Sequence, residues 1–141
     1  MNTNNKTTEL KERKVILSTL WIFAMFNYLY CDIMTVMDPV QLNQLLTGSN
    51  GITINEKFLL GAAILMEIPI AMIFLSRIMN YKSNRMANII AGVIMSVVQS
   101  MSLFVGNGSP TVYYLFFSVI EISCTLFIVW YAWKWVKPEN Y

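Results

Sequence analysis

Two carboxylates set the chemistry open to this chain. Glu67 lies in the apolar stretch Phe58–Ser76 and Glu121 in the apolar stretch Val112–Trp133, each nine residues in from the start of its stretch. At about 1.5 Å per helical residue this is about 14 Å, close to the midplane of a bilayer with a hydrocarbon core about 30 Å thick. Two amides fall at a matching depth: Asn27 is 12 residues past Val15, and Gln99 is 13 residues past Met86. Asp32 lies further toward the outer end of the first stretch, and no Lys or Arg shares this depth. An ionised carboxylate there lacks a counter-charge, and burial favours its neutral form. At least one of the two glutamates is therefore expected to be protonated at neutral pH, bonded to Asn27, Gln99, a serine or the other glutamate.

Glu67, Glu121, Asn27, Gln99 and Asp32 thus form a candidate buried polar site, open to two readings. Acids inside a membrane are costly and commonly serve a function, which points to a proton- or cation-responsive site or a small carrier. The same groups could instead pin helices together at roughly 0.6–2 kcal/mol per hydrogen bond. A third reading, from a different class, is a membrane redox or quinone accessory protein or enzyme. No catalytic residue, cofactor or metal ligand is legible. With no His, a His-based triad or metal site is excluded, and two Cys cannot build a metal cluster. Cys31 and Cys124 should differ in height by roughly 9 Å, so an intrachain disulfide between them is not expected.

The elements that carry these residues follow from composition. Of 141 residues, 56% are hydrophobic and 13% charged, against about 25% charged in an ordinary soluble domain; the mean hydropathy is +0.52. The class is an all-α polytopic membrane protein, a four-helix bundle with the lipid bilayer as its main partner. Nucleic acid is not implied, because the basic residues sit at span ends. The expected organisation is a cytoplasmic polar N-terminus (1–14), a four-span domain (15–136) with spans near 15–37, 55–77, 86–105 and 111–135, and a short cytoplasmic tail (137–141). The run Val15–Met37 is longer than the apolar core of a signal peptide and no small-residue cleavage site follows, so it reads as a retained span.

Local signals mark the ends. Asp38-Pro39 reads as an N-cap followed by proline at the first helical position, and Gly48 is suited to closing the short helix Pro39–Leu46. Too short to span, this helix is expected at the outer surface between spans 1 and 2. Thr53-Ile54-Asn55-Glu56 has capping-box spacing and should start span 2. Pro69 should kink that span. Arg77–Arg85 reads as a basic turn, and Asn107–Pro110 as a tight turn with Ser109-Pro110 opening span 4. Asn88, Gly92, Ser96, Gln99, Ser102 and Gly106 recur at steps of three and four, placing small and polar residues on one face of span 3 for close packing. Trp130, Tyr131, Trp133 and Trp135 form an aromatic belt at the inner end of span 4.

Several stretches resemble a domain-of-unknown-function family of small four-span bacterial membrane proteins. They are Leu20-Trp21, Met25 to Tyr30 with Asp32, Met37-Asp38-Pro39, Leu45 to Gly48, Met66 to Ala71, Asn84-Arg85 with Ala87-Asn88, and Glu121 to Trp133, over roughly residues 15–135. The resemblance implies a topology and a multi-pass location in the bacterial inner membrane, with no assigned reaction or substrate. A looser similarity, to DoxX-like four-helix membrane proteins, rests on four short spans with an acid in span 2. A homo-oligomer is compatible with the pattern.

Orientation follows from Lys and Arg alone. Lys6, Lys11, Arg13, Lys14, Arg77, Lys82, Arg85, Lys134 and Lys137 fall on one side, and only Lys57 on the other. Both termini should be cytoplasmic. Reporter fusions at residue 50 and at the C-terminus are expected to label opposite sides of the membrane; the same side for both would contradict four crossings.

Overall fold

The computed structural model describes residues 3–49, 51, 53–105 and 109–135. These form five helices and no strand: α1 (Thr3–Met37), α2 (Pro39–Thr47), α3 (Glu56–Ile78), α4 (Tyr81–Ser102) and α5 (Val112–Trp133). Three helices, α1 over Thr8–Met37, α3 and α5, are long and apolar enough to cross a membrane. The four long helices pack in a ring. α4 meets α5 most extensively, α1 lies on α3 and then on α5, and a smaller α3–α4 contact closes the circle.

α1 begins well before the expected Val15, because Glu9, Leu10, Lys11, Glu12, Arg13 and Lys14 are good helix formers that continue the span into its polar end. Asp38 caps α2 as its sequence suggests, accepting from the amides of Val40 (2.9 Å) and Gln41 (3.4 Å). Gly48 ends α2 at φ 66°, a left-handed conformation natural to glycine. The cap of α3 is Asn55 rather than Thr53: its side-chain oxygen accepts from the Phe58 amide at 2.9 Å, and Thr53 stays outside the helix. α3 and α4 run through most of the expected basic turn 77–85, leaving only Met79 and Asn80 between them. Ser109 and Pro110 precede α5, whose cap residue is Thr111. Gly106 and, from the Asn107–Pro110 turn, Asn107 and Gly108 lie outside the described residues.

α1 turns one stripe to the core: Leu17, Trp21, Ala24, Tyr28 and Cys31, at alternating steps of four and three, are all nearly or fully buried. This is the spacing with which one helix seats its side chains between those of its neighbours. At the basic end the bundle is tied by Tyr81, whose hydroxyl donates to the Trp135 carbonyl (2.5 Å) and whose ring meets the Trp135 ring edge-on. Arg85 donates to the Trp133 carbonyl (3.0 Å), and Arg13 lies over the Tyr131 ring. Trp135 is therefore buried within the expected belt, while Trp130 and Trp133 remain exposed.

Within the apolar length, polar groups hold the helices in place. Asn88 on α4 is saturated. Its side-chain oxygen accepts from Trp21 Nε1 on α1 (2.7 Å) and from Ser76 Oγ on α3 (3.3 Å). Its amide donates to the carbonyl (2.9 Å) and side-chain oxygen (2.6 Å) of Asn84. Asn84 in turn donates to the Ser76 carbonyl (2.6 Å), and Ser18 on α1 donates to the Ile73 carbonyl (2.8 Å) while accepting from Arg77 (3.2 Å). The α4–α5 seam is closed by Ser96 and Thr125 hydroxyls (2.7 Å), Gln99 to Ser118 (2.9 Å) and Tyr114 to Ser102 (2.7 Å). Gly92 permits this approach: a Cβ there would stand 2.6 Å from Val129 Cγ2 and 3.2 Å from the Thr125 carbonyl oxygen.

Three substitutions test this packing through thermal unfolding in detergent. Gly92→Leu should destabilise by about 1–3 kcal/mol, because the seam must open; wild-type stability would place Gly92 away from α5. Asn88→Ala should cost more than about 2 kcal/mol, since it strands Trp21 Nε1, Ser76 Oγ and the Asn84 oxygen. Asn27→Ala, which loses only a bond to its own helix, should cost about 1 kcal/mol or less. Equal losses at the two positions would contradict the network.

Candidate functional site

Among the five residues singled out by sequence, Glu121 is the one sealed inside. It is 0% exposed. Neither carboxyl oxygen has a hydrogen-bond partner among the described residues. It is held there by α5, whose buried positions Ser118, Glu121, Cys124, Thr125 and Ile128 follow helical spacing and face α1 and α4. The Thr125 hydroxyl folds back onto the Glu121 carbonyl (2.9 Å), and Cys124 Sγ lies 3.6 Å from the Leu20 carbonyl of α1. The backbone around the acid is thus fixed while its carboxyl group is left open.

α1 presents the opposing wall. Tyr28, Cys31 and Asp32 stand three and four residues apart and so share one face. Tyr28 is 3% exposed, and its hydroxyl too has no hydrogen-bond partner. Tyr28, Cys31 and Asp32 all lie within electrostatic range of Glu121, as does Tyr114 two turns earlier on α5. Residues 21–37 and 112–133 contain no Lys or Arg, so no cation comes from either wall. The two carboxyl oxygens of Glu121 and the hydroxyl of Tyr28 are thus left without hydrogen-bond partners among the described residues. Among the described residues no group of three or more His, Cys, Asp or Glu is placed to hold a metal ion. Both cysteines are free and buried.

The other candidates take different places. Asp32 is exposed yet within electrostatic reach of Glu121, at the outer side of the site. Gln99 is half-buried and bound to Ser118, one turn from Glu121. Asn27 turns back on α1 and donates to the Phe23 carbonyl (2.8 Å). Glu67 does not join the group: it is exposed on the outer side of α3, because Pro69, Met72 and Ser76 are the residues α3 buries. The shared depth of Glu67 and Glu121 agrees with the helix register, in which Ser18 meets Ile73 and Leu20 meets Cys124. Their directions differ.

Sequence reasoning did not single out Tyr28 as a site residue, and missed the Asn84–Asn88–Ser76–Trp21 network as a unit. Both were detectable by spacing. Tyr28 lies seven residues past Trp21 and four before Asp32, and Asn84 precedes Asn88 by four.

Neither the curated proteins nor the solved structures compared with the chain give a match, and the looser DoxX-like similarity finds no support. A family model does match, over residues 6–140, nearly the whole length and all four long helices. The chain belongs to a family of unknown function, DUF6326.

Proposed function

We propose that this protein is a four-span protein of the bacterial inner membrane, with both termini cytoplasmic, in which Glu121 serves as a proton- or cation-responsive group. The observation that carries this reading is the fully buried Glu121 carboxyl, neither of whose oxygens has a hydrogen-bond partner among the described residues. A residue kept to glue helices gains its stabilisation from hydrogen bonds. Asn88 behaves that way, with four of them; Glu121 makes none with its side chain.

α4 as the fourth crossing is supported by how its polarity is distributed. Its 22 residues extend about 33 Å. Of the residues that lower its mean hydropathy, Asn84, Asn88 and Ser96 are buried in the bundle, while Lys82 and Arg85 stand at its basic end. Met86, Ile90, Val93, Val97 and Met101 are exposed along the opposite face, suited to lipid. The contacts among Arg13, Tyr131, Tyr81, Trp135, Arg85 and Trp133 gather the basic residues at one end, which supports an inner side there. α2 buries no residue in the bundle and exposes Val40 and Leu46, as a helix lying on the outer interface would.

The test is thermal stability in detergent against pH for the wild type, Glu121→Gln and Glu67→Gln. Ionising Glu121 places a charge where no cation or donor meets it, so the folded chain holds a proton that the unfolded chain releases, and stability falls as pH rises. The wild type and Glu67→Gln should both lose stability on alkalinisation, whereas Glu121→Gln, which keeps the shape but cannot ionise, should lose much less. Superimposable curves for the wild type and Glu121→Gln would overturn the reading.

A further inference from the structure

Glu67 occupies the centre of α3, 11 residues from either end of the helix. It is exposed on the apolar outside of the bundle and makes no hydrogen bond or ion pair among the described residues. Ionisable side chains at such depths almost always face a protein interior or a water-filled cavity, because hydrocarbon offers no partner. The face around Glu67 is also open. Leu60, Ile64, Ile70 and Phe74 are exposed at three- and four-residue steps through Glu67. Ala63, one turn before Glu67, is exposed as well, and α3 is the least covered of the three candidate spans.

We propose that this face of α3 is a homodimer interface in which Glu67 meets the partner subunit's Glu67 across a two-fold axis along the membrane normal. Such an axis sets each residue opposite itself at the same depth. A neutral carboxyl group carries one O–H donor and a carbonyl acceptor, so two of them satisfy each other by reciprocal hydrogen bonds. This self-complementarity selects a second copy as the occupant: lipid chains supply no donor, and a foreign helix would have to bring its own polar group to that depth. Ala63 lets the backbones approach beside the pair, and Leu60, Ile64, Ile70 and Phe74 provide the apolar packing around it. The bundle then carries two acids with separate tasks, Glu121 inside one copy and Glu67 between copies.

Oxidative cross-linking of the full-length chain in lipid vesicles tests the interface. Ala63→Cys and Ile64→Cys should give a disulfide-linked dimer, whereas Val119→Cys, equally exposed on α5, should not. In the Ile64→Cys background, Glu67→Leu should lower dimer yield by about tenfold, as the loss of the reciprocal pair requires. Glu67→Gln, which keeps a donor and an acceptor, should retain most of it. Glu67 is exposed, so neither change threatens the fold of the single chain. Equal cross-linking at Ile64 and Val119, no dimer at either α3 position, or full dimer yield in Glu67→Leu would each overturn the proposal.

Discussion

Inside hydrocarbon, a polar side chain that leaves its protein partner finds no water to replace it. That constraint explains most of how this bundle is assembled. Lipid is as apolar as the helices, so the force that brings them together is close packing and the hydrogen bonds they share. Asn88 is the clearest result. It sits on α4 and binds groups from α1 and α3, so three of the four helices are placed relative to one side chain. The fourth, α5, is drawn against α4 where Gly92 removes the bulk that would hold them apart and where Ser96, Thr125, Gln99 and Ser118 can pair.

Against that background the groups that do not pair stand out. Glu121 and Tyr28 are buried nearly as deeply as Asn88 and Trp21, yet their side-chain oxygens have no hydrogen-bond partner among the described residues. The two layers differ in kind. Toward the basic end Asn84, Asn88, Ser76 and Trp21 satisfy one another and tie α1, α3 and α4 together. Further out along α1 and α5 the side chains converge without bonding, with Asp32 between them and the outer side.

Much of this was legible in the sequence, for physical reasons that differ by element. Span lengths followed from apolar runs, and the α2 cap from Asp38-Pro39 and Gly48, because these depend on local backbone chemistry. Gly92 and Ser96 could be assigned to a packed face because helical spacing alone fixes which residues share a face. The depth of Glu67 and Glu121 was equally readable, since depth counts residues. Direction was not. Which way Glu67 points depends on which stripe of α3 meets α1, and α3 is apolar nearly all round, so its own pattern does not select a face. α4 posed the converse difficulty: Lys82, Arg85 and its asparagines, serines and glutamine lower its hydropathy, although Met86, Ile90, Val93, Val97 and Met101 make one face apolar. Thr53 and Asn55 competed to cap α3, and the residue nearer the first turn prevailed because its side-chain oxygen reaches the Phe58 amide.

The central claim is that Glu121 is a neutral, isolated carboxyl group at neutral pH, able to change its charge in place. Infrared spectroscopy of the protein in lipid measures this directly, through the carbonyl stretch that a protonated carboxyl group has and a carboxylate lacks. The difference between wild type and Glu121→Gln should contain that band at neutral pH, at the position of a weakly hydrogen-bonded acid, and it should fade on alkalinisation. A difference spectrum with no such band at neutral pH would mean that Glu121 is already ionised and paired, and would contradict the account.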